Sequence, residues 1–178
     1  MLSRDGQVSV RIAGMVSDSI TDGPGLRMAI FVQGCDKRCP GCHNAHTLPQ
    51  DGGTEYTLEQ LIQKVEANPL ITGVTLSGGE PLLQAAALLP LAEYIKDRGL
   101  ELAIYTGDLF EEVLSRGGAP AELLKKADVV VDGPFVLEQK NLMLRFRGSA
   151  NQRIIDVPRS LREEKTVPVQ APRWVGEE

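Results

Sequence analysis

Four short apolar runs, "MAIFV" (28–32), "GVTL" (73–76), "ELAIY" (101–105) and "DVVVD" (128–132), are separated from one another by segments with helical signals. A strand with one solvated face alternates apolar and polar residues. Runs that are apolar almost throughout belong to strands covered on both faces, which is the signature of a parallel sheet flanked by helices. The intervening segments support this. Thr57 opens "TLEQLIQKVEA", where Gln60 completes a capping box and Leu58, Leu61, Ile62 and Val65 share one helical face. Pro81 starts an apolar helix from Leu82 to Lys96, kinked at Pro90 and closed by Gly99. Asp108 is placed to cap "LFEEVLSR", and Pro120 starts "AELLKKA".

"RIIDV" (153–157) adds a last strand, and "VSVRIAGMV" (8–16) an early hairpin or edge strand. A closed eight-fold barrel takes about 250 residues, and the chain has 178. The expected fold is therefore an incomplete parallel β/α barrel, α/β in class, with one domain over residues 1–157. From 158 to 178 the chain carries Pro158, Pro168 and Pro172 among charges without periodicity, so this tail is expected to be poorly ordered, with Trp174 incidental.

Charge narrows the partners. The 19 basic and 24 acidic residues give a net charge of −5, and no Lys/Arg cluster is present that would neutralise phosphates, so nucleic acid is not expected as a partner. No stretch approaches the roughly 20 apolar residues of a membrane span, and "MLSRDGQVSV" has no signal-peptide core. The expected location is the cytoplasm, with no membrane partner.

All three cysteines, Cys35, Cys39 and Cys42, fall within "GCDKRCPGC", directly after the first apolar run. An odd number in a tight cluster argues against a disulfide framework and for thiolate ligands in a reducing compartment. A four-iron cluster held wholly by protein needs four cysteines. Three would leave one iron open to a non-protein ligand, as a catalytic zinc keeps an open position. The same thiolates with His43 or His46 would also satisfy a Cys3His structural zinc site, so both readings stand on these residues alone. A second feature, "SGGE" (77–80), follows the next strand immediately. Two glycines let the backbone approach a ligand closely, and a carboxylate beside them can receive an ammonium. As a bare strand-to-helix turn the same residues need no ligand. Both loops lie at the carboxyl ends of neighbouring strands, where β/α folds place chemistry.

The order C-x-x-x-C-x-x-C followed by Gly-Gly-Glu resembles the radical S-adenosylmethionine superfamily, so residues 1–157 would be a radical SAM domain. The resemblance implies that Cys35, Cys39 and Cys42 hold one 4Fe-4S cluster and that Gly78, Gly79 and Glu80 receive the methionine moiety of S-adenosylmethionine, with Thr106 and Asp132 as further contacts. It also implies reductive cleavage of that ligand to methionine and a 5′-deoxyadenosyl radical. The cofactor carries the hard chemistry, with no catalytic residue beyond it. Many superfamily members carry an aromatic before the third cysteine, against adenine. Here that position is Gly41, and His43 is the candidate to take over.

"DGPGLR" (22–27) and "GC…C.GCHN" (34–44) are similar to activating enzymes of glycyl-radical proteins. "VDGPF" (131–135), "YTG" (105–107) and "RGSANQRIID" (147–156) are similar, more narrowly, to activating proteins of the anaerobic ribonucleoside-triphosphate reductase. That likeness implies hydrogen abstraction from a backbone glycine of the reductase, with electrons from a low-potential donor such as flavodoxin or ferredoxin. Arg147, Asn151 and Arg153 are then candidates for docking the reductase, lining the pocket or capping the sheet edge. The alternatives are an activator of another glycyl-radical enzyme of formate-lyase type, a small-molecule enzyme such as 7-carboxy-7-deazaguanine synthase, and a zinc or electron-transfer module.

Overall fold

A computed structural model describes residues 8–176. Among them the strands are β1 (Ser9–Ser19), β2 (Arg27–Val32), β3 (Thr54–Thr57), β4 (Gly73–Gly78), β5 (Glu101–Tyr105), β6 (Val129–Asp132) and β7 (Arg153–Asp156), of which β3 is not one of the apolar runs. They form one open sheet in the order β3-β1-β2-β4-β5-β6-β7. The four central strands β2, β4, β5 and β6 run parallel, as the apolar runs require. The flanks do not: β1 pairs antiparallel with both β2 and β3, and β7 antiparallel with β6. A parallel neighbour needs a crossover helix, and the segments joining β1 to β2 and β6 to β7 contain none long enough to supply one. The incomplete barrel is thus parallel only at its centre. The expected edge strand at residues 8–16 is one place inside the edge, because the short polar strand β3 pairs outside it.

The helices are α1 (Leu58–Glu66), α2 (Ala85–Asp97), α3 (Phe110–Arg116), α4 (Gly118–Lys126), α5 (Val157–Glu163) and α6 (Pro172–Val175). The Thr57–Gln60 capping box forms as read from the sequence. Leu61 and Val65 of α1, Leu88 and Ile95 of α2 and Leu124 of α4 pack against Ile30, Leu76, Ile104 and Val130 on one face of the sheet. Burying a side chain of this size contributes about 1.5–3 kcal/mol, so this layer holds the strands in register. Gly99 follows α2 at φ 71° and donates back to the Lys96 carbonyl at 2.9 Å, the left-handed stop that only glycine adopts freely. Pro90 lies inside α2 without ending it.

Two local expectations are corrected. Asp108 does not cap α3; the N-terminal amide of Phe110 instead donates to Asp132 Oδ2 at 2.8 Å, a residue 22 positions away. The C-terminal segment is also not poorly ordered over residues 158–176. Asp156 caps α5, Val169 donates to the Ile154 carbonyl at 2.9 Å, and Trp174 is 1% exposed. It packs with Ala103, Val129, Val131 and Ile154 on the sheet face opposite the helical layer. No helix among the described residues is long and apolar enough to cross a membrane.

Candidate active site

Parallel strands bring their carboxyl ends to one rim, so the loops after β2, β4 and β5 meet. They border a cavity of about 1070 Å³ lined by Cys35, Cys39, Cys42, His43, Ser77, Gly78, Gly79, Glu80 and Thr106. Residues far apart in sequence are thereby joined in one mouth.

The cysteine loop is anchored at both ends by backbone. Gly34 and Cys35 donate to the carbonyls of Thr47 and Leu48 at 2.7 and 3.2 Å, and Gln33 Nε2 donates to the Pro49 carbonyl at 2.6 Å. Between these anchors the three thiols are half-buried, free and face the cavity. Burial pushes the Cys35 thiol up from its ordinary value. Among the described residues no three His, Cys, Asp or Glu side chains converge closely enough to hold a single metal ion. The donor set, three free thiols along a roomy wall, fits a polynuclear cluster with one iron left open. His43 lines the cavity, whereas His46 points elsewhere on an exposed short turn.

The glycines have a structural reason that sequence reading missed. A side chain at Gly78, which sits at φ 95°, would meet the backbone of Phe31 at 2.6 Å, and one at Gly79 would fall on the carbonyl group of Gly34. These close approaches allow Gly79 and Glu80 to donate to the Val32 and Gly34 carbonyls, both at 2.8 Å. The Gly-Gly pair therefore fastens the second loop to the first. Gly41, at φ 71°, abuts Leu137, whose methyl would lie 2.8 Å from any Cβ there. No aromatic fits at that position without moving Leu137.

Glu80 is 1% exposed. Its Oε1 accepts from Leu82 N at 3.1 Å and its Oε2 from Gly107 N at 2.8 Å. Burial raises its pKa and these amide donors oppose the rise, with burial winning. A carboxylate offers about four acceptor directions; the two amides and the Thr106 side chain draw on them, leaving little unspent at the cavity wall. Lys37 of the cysteine loop pairs with Asp108 at 2.9 Å, tying in the loop after β5. Neither member of that pair was singled out for the mouth from sequence. Thr106 borders the cavity, and its Oγ1 accepts from Asp108 N at 3.1 Å.

Asp132 is not part of the mouth. It is fully buried, caps α3 and pairs with Arg153 at 2.5 Å, and does not line the cavity. Arg153 spends its guanidinium on Asp132 and Glu111, and Asn151 donates to the Pro134 carbonyl. Of the three docking candidates only Arg147 borders the cavity. The opposite wall also brings in Asp22, Tyr105, Phe135 and Phe146. Tyr105 is held neutral, its pKa driven far up by burial.

The family described as a 4Fe-4S single cluster domain matches residues 21–155. The anaerobic ribonucleoside-triphosphate reductase-activating protein of Vibrio cholerae is 35% identical over 142 residues, covering 75% of this chain and 89% of that protein. The Escherichia coli K12 protein of the same name is 33% identical over 141 residues, covering 75% and 90%. The pyruvate formate-lyase-activating enzyme of Clostridium pasteurianum is 40% identical over 113 residues, but these span only 48% of that longer enzyme and 58% of this chain.

Proposed function

Because the chain belongs to the 4Fe-4S single cluster family of the anaerobic ribonucleoside-triphosphate reductase-activating proteins, we propose that it generates the glycyl radical of such a reductase. The observation that carries this reading is the cavity itself: three free thiols and the Gly-Gly-Glu loop on one wall of an open mouth, with no fourth cysteine in the chain.

Cys35, Cys39 and Cys42 would hold the cluster, and with no fourth cysteine one iron would be left for S-adenosylmethionine. When bound, the pair supplies a 5′-deoxyadenosyl radical and methionine. The chain's own residues do the rest. The backbone edges of Gly78 and Gly79 and the Glu80 carboxylate would take N–H hydrogens of the methionine moiety, a bond to a charged group contributing about 1.5–3 kcal/mol. Gly107 and Leu82 hold that carboxylate in place. Thr106 and His43 line the same cavity, and His43 would stand in for the aromatic that Gly41 replaces.

The open sheet leaves the mouth accessible to a protein loop, and a docked loop would exclude water while holding its glycine at near-attack distance. The electron donor would be a low-potential protein of flavodoxin or ferredoxin type. The test is anaerobic mixing of the reduced, reconstituted protein with S-adenosylmethionine and the reductase, followed by electron paramagnetic resonance. A glycyl-type doublet, with deuterium from that glycine recovered in 5′-deoxyadenosine, is the expected result. A doublet only with pyruvate formate-lyase would move the chain to the formate-lyase branch, the reading that the 40% identity to the Clostridium enzyme favours. Label transfer from a small heterocycle would overturn both.

A further inference from the structure

The segment after α5 lies outside residues 21–155, the span matched by the family, yet it delivers the chain's single tryptophan to the face of the sheet beneath the mouth. Trp174 there touches three pieces of the cavity's support. Its ring stands edge-on to Phe146, with centroids 5.3 Å apart and planes at 73°. The Arg27 guanidinium lies 5.7 Å from the ring centroid. A Cβ on Gly23, next to Asp22, would sit 3.0 Å from the indole.

Each neighbour leads to the ligand wall. Phe146 and Asp22 line the cavity directly. Phe146 is one of three non-glycine residues among those described with positive φ, at 54°, a conformation that persists only where packing enforces it. Arg27 donates through Nε to Thr75 Oγ1 at 2.8 Å, and Thr75 in turn donates to the Asp22 carbonyl at 2.7 Å. The tail is clamped independently, by Arg173 paired with Glu101 and by the Val169 to Ile154 hydrogen bond. The cysteine loop has none of these contacts; it is held by the Thr47, Leu48 and Pro49 carbonyls, by Glu80 N on the Gly34 carbonyl and by the Lys37–Asp108 pair.

We infer that Trp174 is a positioning residue: the C-terminal segment acts as a built-in floor that fixes the Asp22 loop and Phe146, and so sets affinity for the cavity's ligand without acting on the cluster. This rests on S-adenosylmethionine being that ligand. The indole Nε1 has no protein partner among the described residues. The ring's area and π face, not its N–H, therefore do the work, and phenylalanine should replace it.

The experiment uses the anaerobically reconstituted protein and S-adenosylmethionine. Trp174→Ala should keep its iron content while the dissociation constant for S-adenosylmethionine rises about tenfold, within the usual range of site-to-site coupling, and Trp174→Phe should stay within about twofold of the wild type. Coupling is reciprocal, so in the wild type the ligand must protect the tail. Amide exchange at Val169, Trp174 and Gly176 should slow when S-adenosylmethionine binds. That measurement stands even if Trp174→Ala fails to fold. Unchanged tail exchange, or equal affinity in the alanine variant at full iron loading, overturns the inference whatever happens to thermal stability. If the wild type itself does not bind S-adenosylmethionine, the ligand reading fails instead.

Discussion

At the carboxyl ends of β2, β4 and β5 the chain presents free thiols, side-chain-less backbone and a buried carboxylate in the lining of one cavity. At the amino ends of the same strands the charged groups are paired with one another. Arg27, 0% exposed, bonds Thr75, Glu101 and the carbonyls of Pro24, Val74 and Glu101, lies against Trp174, and shares Glu101 with Arg173. Burial pulls the Arg27 pKa down and Glu101 opposes that shift. Apart from the unpartnered indole N–H of Trp174, one end of the sheet is paired by its own residues, whereas the other holds three free thiols. Unspent bonding capacity inside an otherwise paired structure marks where a ligand belongs.

The largest test of this contrast removes a thiol. Changing Cys35, Cys39 or Cys42 to Ala should abolish cluster binding, measured as iron, sulfide and visible absorbance after anaerobic reconstitution. Urea unfolding of the cluster-free proteins should stay near that of the cluster-free wild type, because the anchors of the loop are backbone groups. A full cluster in any single variant would contradict the ligand assignment.

Next comes the floor. Arg27→Ala should cost about 3–5 kcal/mol of stability, since it leaves Thr75 Oγ1 and the Val74 and Glu101 carbonyls without their buried donor, and Arg27→Lys should not restore the forked bonds. Urea midpoints would read this directly. A loss below about 1 kcal/mol would mean that the amino end is no more committed than the mouth.

Gly79→Ala probes the seam between the loops. The added methyl meets the Gly34 carbonyl carbon at 2.8 Å, so the expected cost is roughly 1–3 kcal/mol of overpacking, together with reduced iron loading because Gly34 adjoins Cys35. Reduced S-adenosylmethionine affinity at unchanged iron loading and stability would show that the glycine serves the ligand alone.

The smallest effect lies outside both ends. Arg153 holds the Glu111 carboxyl down to about 2. A depressed carboxyl stabilises the fold above the ordinary glutamate range and loses that contribution as pH falls toward about 2. Glu111 is exposed at the surface, so Glu111→Gln should lower stability near neutrality by under about 1 kcal/mol. The gap to the wild type should close on acidification, as followed by urea unfolding across pH. A gap that widens in acid would reverse the assignment.

The features that sequence alone determined are those set by neighbours in the chain or by chemistry that admits few residue types. The Thr57–Gln60 capping box, the limits of β5, the Gly99 stop and the parallel centre of the sheet follow from local hydrogen bonding and apolar runs. The meeting of the cysteine loop and the Gly-Gly-Glu loop at one rim was legible because both follow neighbouring parallel strands directly. Tertiary structure decided what depends on partners remote in sequence. Asp132 reads as a ligand contact until Phe110 and Arg153 are seen to consume it. Asp108 reads as a cap until Lys37 reaches it. β3 is too short and polar to announce itself, and is a strand only because β1 offers it an edge. The proline-broken, charged tail lacks any period, yet Trp174 finds an apolar face left open by an unclosed barrel. Periodicity reports the surface a segment shows to the average core. It carries no information about a single side chain filling a particular gap, because the gap exists only once the sheet has folded.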